Sequence, residues 1–201
     1  MSTARDLLII ALGKEPDAPV ERGDLSLALA GAELIDLLQA GTVTLDGDRI
    51  VPGLRAATGD RLLDEAASAL VGQEPYESVE DWLWRRGRDL SSAHLTALEK
   101  EGLLTRARGR IIPVPTGRSV PADSPARDAA EERRASGEPV FASLSAAAGI
   151  GEEPVDGSWE HTDDAVVAVL AAVGDAVMEL EGVRQQRTIE NAAYDNVWRG
   201  L

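Results

Sequence analysis

The side chains able to do covalent or metal chemistry are few and scattered. His94 and His161 are the two histidines of this 201-residue chain, 67 positions apart and with no acidic ligand pattern beside either. Cysteine is absent, which removes thiolate nucleophiles, disulfides and thiolate metal sites, and is compatible with a reducing compartment. Ser143 and Ser145 lack the strand–turn–helix setting of a nucleophile elbow. Asp46-Gly47-Asp48 has no glutamate where the last ligand of a calcium loop should stand. Ala107-Arg108-Gly109-Arg110 is not a phosphate-binding P-loop. Gly59-Asp60-Arg61 puts an acid where a helix N-terminus would need to receive phosphate. The sequence therefore carries no catalytic constellation, and no enzyme activity, metal or cofactor is expected.

What remains is binding. Trp82 and Trp84 stand beside Arg85, Arg86 and Arg88, and a second basic run follows at Arg106, Arg108 and Arg110. Aromatic rings next to guanidinium groups suit a membrane interface with anionic headgroups, where each cation contributes about 1 kcal/mol. The competing reading puts both tryptophans in the core and pairs the arginines with Glu77, Glu80 and Asp81. Charge is unevenly spread. Residues 85 to 134 hold 11 basic and 7 acidic side chains, net +4 in a chain of net charge −15, which leaves −19 on the remainder. That balance opposes general nucleic-acid binding and marks either a loop-rich solvated surface or a local anion-binding face.

The elements that must position these residues read mainly as helices. Hydrophobic residues make up 44% but aromatics only 3%, so Leu, Val and Ala build the core. A short helical turn or strand is expected over Asp6 to Leu12, and a loop over Gly13 to Gly23. Asp24 is placed to cap a helix from Leu25 to Ala40, with Leu27, Leu34, Ile35 and Leu38 on one stripe. Gly31 within it suggests a close backbone approach, and Gly41 stops it. Thr42 to Val51 reads as a β-hairpin about Asp46-Gly47. A helix capped by Thr58 or Asp60 follows, up to Gly72. Ser78 and Asp81 resemble a capping box that opens a helix through Arg86. Another helix runs to Gly102, and a second hairpin is expected about Arg108-Gly109.

The two helix–glycine–hairpin units echo each other at an offset of 61, with Leu37, Gly41, Arg49 and Ile50 matching Leu98, Gly102, Arg110 and Ile111. Either a duplication or convergent cap-and-turn chemistry gives such an echo. Pro113 to Pro125 reads as extended. Helices follow near 127–135 and 140–148, and then the longest, Asp163 to Glu181. Its nearly continuous apolar residues predict the central buried helix, with Gly182 separating a final one. The N-terminal residues carry no charged and apolar leader pattern, and the longest apolar run, Ala165 to Val173, is too short for a bilayer span. One domain over residues 1–201, cytoplasmic or peripheral to the cytoplasmic face of a membrane, is the expectation.

Three strings in order, Leu-Ile-Asp-Leu-Leu (34–38), Thr-Gly-Asp-Arg-Leu-Leu-Asp-Glu-Ala (58–66) and Leu-Glu-Lys-Glu-Gly-Leu-Leu-Thr (98–105), together with Trp82, resemble the Golgi phosphoprotein 3 family. The resemblance covers about Leu7 to Val114, and more weakly Asp163 onward. It implies a mostly helical domain with β-hairpins, and peripheral membrane proteins that bind phosphatidylinositol 4-phosphate and adapt glycosyltransferase tails to vesicles. The short, alanine-rich, acidic chain looks like a bacterial relative. Carried over residue by residue, the resemblance puts Arg88 at one phosphate-binding arginine. The other arginine positions meet Ser91 and Ala30, and the pocket tryptophan has no counterpart in Gly13 to Gly23. In the family the hairpin matching Leu103 to Val114 enters membrane or mediates oligomer contacts; its basic tip here favours surface contact.

Together these readings predict a mainly α single-domain helical bundle with two short β-hairpins. It is expected to bind an anionic phospholipid or phosphoinositide headgroup through Arg85, Arg86, Arg88, Arg106, Arg108 and Arg110, with Trp82 and Trp84 as interfacial aromatics. Two alternatives remain: a protein–protein adaptor that keeps the fold without lipid binding, and a winged-helix-like DNA binder, which the net charge disfavours. A protein partner and homo-oligomerisation are both left open.

Overall fold

In the computed structural model, residues 2–13, 20–54, 57–108, 115–152 and 162–199 are described, with backbone alone at 106–108, 115–118 and 192–199. The architecture is mainly helical, with two two-stranded antiparallel sheets. The elements run α1 (Thr3–Gly13), α2 (Arg22–Gln39), β1 (Val43–Asp46), β2 (Arg49–Pro52), α3 (Arg61–Ser68), α4 (Val79–Arg86), α5 (Leu90–Lys100), β3 (Leu104–Arg108), β4 (Pro115–Pro121), α6 (Pro125–Ala135), α7 (Pro139–Ala147) and α8 (Asp164–Arg199).

The centre of the bundle is α2, not the long C-terminal helix. Twelve of its 18 residues are buried, from Leu25 through Leu37, and it packs against α1, α3, α4, α5, α7 and α8. Its small residues Ala28, Ala30, Gly31 and Ala32 let neighbours approach on every side. A Cβ at Gly31 would fall 2.3 Å from Val173 Cγ2, so the close approach anticipated there is made by a side chain of α8 rather than by backbone. α8 is 36 residues long and unbroken through Gly174 and Gly182. It buries a single stripe, Val166, Val169, Val173 and Ala176, and exposes Val167 and Met178. Its apolar residues are mostly Ala and Val, which are cheap to leave in water, so a continuous apolar string did not mean burial all round.

Three other expectations are corrected. The N-terminal segment is an 11-residue helix, buried at Leu7, Leu8, Ile9 and Ile10. Its first turn is capped in trans, because Thr3 donates through its backbone N–H (2.7 Å) and its hydroxyl (2.5 Å) to the Asp36 carboxylate of α2. Second, α2 begins at Arg22, and Asp24 lies inside its first turn without capping it. Third, the second hairpin does not close about Arg108-Gly109. β3 pairs with β4 in the register Leu104↔Pro121 to Arg108↔Pro115, so the proline-rich stretch supplies the partner strand, with prolines at its two ends where a missing N–H is tolerated.

The first hairpin is as expected, with the turn one residue later. Asp46 pairs with Arg49, leaving Gly47-Asp48 as the loop, and Gly47 at φ 61° takes the first central position of a type II′ turn. Half of the 61-residue echo is helix-stop chemistry. Gly41 and Thr42 donate to the carbonyls of Leu38 and Leu37, and Gly102 and Leu103 donate to those of Glu99 and Leu98, the Schellman pattern in both cases. Arg110 and Ile111, the other half, lie outside the described residues. Asp60 caps α3, which ends at Ser68, and Ser78 caps α4 with Asp81 accepting its hydroxyl proton at 2.7 Å.

Candidate functional site

α4 and the bend at Gly87 to Asp89 carry Trp82, Trp84, Arg85, Arg86 and Arg88, and the structure divides them between two environments. Trp82 is fully buried, and its Nε1 donates to the Ala30 carbonyl of α2 at 3.1 Å. It is a core residue and not an interfacial aromatic. Helical geometry explains the division: Trp82 and Arg86 are four apart and share the face turned to α2, whereas Trp84 lies between them.

Arg86 is only 17% exposed and makes a two-pronged ion pair with Glu33 of α2, Nε to Oε2 at 2.7 Å and Nη2 to Oε1 at 3.0 Å. The buried His94 ring of α5 meets the same carboxylate, Nε2 to Oε1 at 3.0 Å. Arg85 forks onto Glu77 at 2.6 and 2.7 Å, donates to the Ala69 carbonyl, and lies 5.3 Å from the Trp82 ring centroid. The Glu77 carboxylate raises the Arg85 pKa further above its ordinary value. Arg85 and Arg86 are thus committed to protein carboxylates. The Glu77 partner was foreseeable from the sequence; Glu33 was not.

Arg88 is different. It is exposed, and it forms no ion pair or side-chain hydrogen bond with any described residue. It lines a recess of about 280 Å³ together with Arg22, Gly23, Ser26 and Leu27 of α2, Trp84, Gly87, Asp89, Ser91 and Ser92 around the α4–α5 bend, and Leu180 of α8. Arg22 is likewise exposed and has no described partner. Two arginines without a side-chain partner among the described residues therefore line one recess, together with Asp89, the half-buried Trp84 and the exposed Ser92. The wall behind them is fixed. Ser26 Oγ and Ser91 Oγ lie 2.9 Å apart, and the Ser91 N–H donates to Ser26 Oγ at 3.1 Å.

Arg22 was missed because Asp24 looked like the cap, which left Arg22 in a loop. Its position is nevertheless regular. Arg22, Ser26 and Ala30 are spaced four apart along one face of α2, so the cation stands two turns N-terminal to the buried Ala30. Of the remaining sequence candidates, Arg106 and Arg108 occupy β3 opposite Ser119 and Pro115, their side chains outside the described set, and Arg110 is outside it altogether. Among the described residues no group of three or more His, Cys, Asp or Glu could hold a metal ion, and no helix is long and apolar enough to cross a membrane.

The described residues form a mainly helical bundle with two hairpins, packed around the buried helix α2. The comparison with protein families is specific. The family model of Golgi phosphoprotein 3 (GPP34) matches residues 4–190, nearly the whole chain, and this protein belongs to that family. No curated protein matches it.

Proposed function

We propose that this chain is a non-enzymatic peripheral membrane protein that takes an anionic phospholipid headgroup into the recess between α2, the α4–α5 bend and α8. The observation that carries the reading is the pair Arg22 and Arg88, uncommitted at one opening of a protein whose net charge is −15. Guanidinium forks match phosphate oxygens two at a time, and Ser92 adds a hydroxyl donor. The Trp84 ring offers an apolar surface to the glycerol or inositol carbons. Phosphatidylinositol 4-phosphate is the headgroup that family membership favours. Two cations contribute only about 2 kcal/mol of surface attraction, so binding rests on headgroup contacts inside the recess and is reversible.

The test is co-sedimentation with phosphatidylcholine vesicles carrying phosphatidylinositol 4-phosphate or cardiolipin, across a salt series. Binding to the charged vesicles that weakens with salt, and is lost in Arg22→Ala/Arg88→Ala, is the expected result. Failure to bind either vesicle at low salt overturns the proposal. A protein-adaptor role is the second reading, and the exposure of Met178 (74%) and Ile189 (69%) on α8 favours it. A pull-down recovering one stoichiometric partner, abolished by Met178→Glu/Ile189→Glu and indifferent to lipid, would support that role.

A further inference from the structure

The first turn of α2 contains an acid that adds to the Asp89 carboxyl group already in the lining of the recess. Asp24 is two residues from Arg22 and next to Gly23, both of which line the opening. A carboxylate there lies within a screening length of any bound phosphate and repels it. It is held, however, by Arg184 from 160 positions later in the chain. Nη2 donates to Asp24 Oδ1 at 2.6 Å and Nη1 to Oδ2 at 3.0 Å, with Glu181 Oε2 a more distant acceptor at 3.3 Å. Both partners are mostly shielded, with side-chain exposures of 28% for Arg184 and 16% for Asp24.

Residue 23 lies directly under the meeting point. A Cβ at Gly23 would lie 2.6 Å from Leu180 Cδ2 and 3.0 Å from Arg184 Nη2, so a side chain there would make the ends of Leu180 and Arg184 shift. Leu180 itself lines the recess. Beyond Arg184, residues 185–191 are all exposed, and Arg184 is the last half-buried residue along the described part of α8. The Arg184–Asp24 pair thus ties α8 to α2 one turn beyond Leu180, the α8 residue that lines the recess.

We propose that Arg184 is a positioning residue of the anion recess, which cancels the Asp24 charge at its rim and so leaves Asp89 as the acidic residue among those that line the opening. Arg184 does not touch the ligand; it acts through Asp24. The inference rests on the lipid-headgroup reading above. Without the guanidinium, Asp24 becomes a bare carboxylate beside Arg22, which then pairs with it and is withdrawn from the ligand.

The test compares three variants of the full chain on phosphatidylcholine vesicles containing phosphatidylinositol 4-phosphate, with circular dichroism confirming helical content. Arg184→Gln is expected to bind roughly fivefold more weakly, the effect of one added charge at a distance of several ångströms in a partly aqueous setting. Asp24→Asn is expected to bind as tightly as the wild type or more so, because it deletes the repelling charge and leaves Arg184 with Glu181 as its partner. Asp24→Asn/Arg184→Gln is expected to recover wild-type binding. A latch of purely structural importance predicts the opposite for the last two, since both break the same ion pair. Weakened binding by Asp24→Asn, or no recovery in the double variant, overturns the inference while the headgroup site stands. A wild-type protein that binds no charged vesicle removes the headgroup site itself and this inference with it.

Discussion

Arg86 and Arg88 are two residues apart, at the end of one helix and in the bend after it, yet they belong to opposite kinds of chemistry. Arg86 points into the bundle and is consumed by Glu33, with His94 on the same carboxylate. Arg88 faces water at a recess where Arg22 is also unpaired. The same division separates Trp82, whose indole is bonded to the Ala30 carbonyl, from Trp84, which lines the recess. Residue type alone does not make a basic aromatic segment a binding surface. What decides is whether the element packed against it supplies a partner, and α2 supplies Glu33 and Ala30 to one face but Arg22, Gly23, Ser26 and Leu27 to the other.

The largest effect expected from breaking this contrast is at Glu33. Replacing it by Gln leaves the Arg86 charge mostly enclosed without a counter-ion, at a cost of about 3 kcal/mol or more, read as a shift in the denaturant midpoint. The corresponding change on the other face, Arg88→Ala, should alter stability by no more than about 0.5 kcal/mol. If the two variants lose comparable stability, the distinction between a committed and a free arginine fails.

The tryptophans give a second, smaller test. Trp82→Phe removes the donor to the Ala30 carbonyl and leaves a gap beside α2, costing about 1–3 kcal/mol. Trp84→Phe should leave the denaturation midpoint nearly unchanged and weaken vesicle binding instead. Equal loss of stability in both would place Trp84 in the core as well.

Asp36 sharpens the comparison from within α2, because it stands one turn beyond Glu33 but has neutral donors in place of a guanidinium. Burial pushes its carboxyl up to about 6 from an ordinary value near 3.8, against the opposing hydrogen bonds from Thr3. Burial also raises Asp6, only partly offset by Arg133. A carboxyl with a raised folded pKa binds more protons in the folded than in the unfolded state. Its contribution to stability is therefore greatest in acid and declines as pH rises from about 4 to 6. Denaturation midpoints across that window should fall with pH more steeply in the wild type than in Asp36→Asn; identical slopes would show that Asp36 is not the group responsible.

How far the sequence revealed this arrangement follows from the range of the interactions. Local chemistry was legible: the Asp60 and Ser78 caps, the glycine stops at Gly41 and Gly102, the tight first hairpin, and the strings at 34–38, 58–66 and 98–105 that carry the family. The pairing of Arg86 was not, because Glu33 is 53 positions away and nothing local distinguishes it from any other helical glutamate. Arg22 was hidden by a plausible cap at Asp24, whose true partner, Arg184, is 160 positions away. The error over α8 has the same root. An apolar string states which residues can be buried, and only the size of the opposing surface states how many are.

The smallest expected change in stability carries the most functional weight. Arg22→Ala and Arg88→Ala each remove an exposed side chain that has no side-chain partner among the described residues, so unfolding should be indistinguishable from wild type within about 0.5 kcal/mol. Each should nonetheless weaken binding to vesicles containing phosphatidylinositol 4-phosphate, and reduce its salt dependence, since each deletes one phosphate-facing cation. If both guanidinium groups grip one headgroup, the double variant should lose less than the sum of the single losses, because either deletion already frees the phosphate to reorient. Strict additivity would mean two independent surface contacts, and the recess would then be a shallow basic edge without a shared ligand. Vesicle co-sedimentation of the two single variants and the double variant, at two salt concentrations, separates these outcomes.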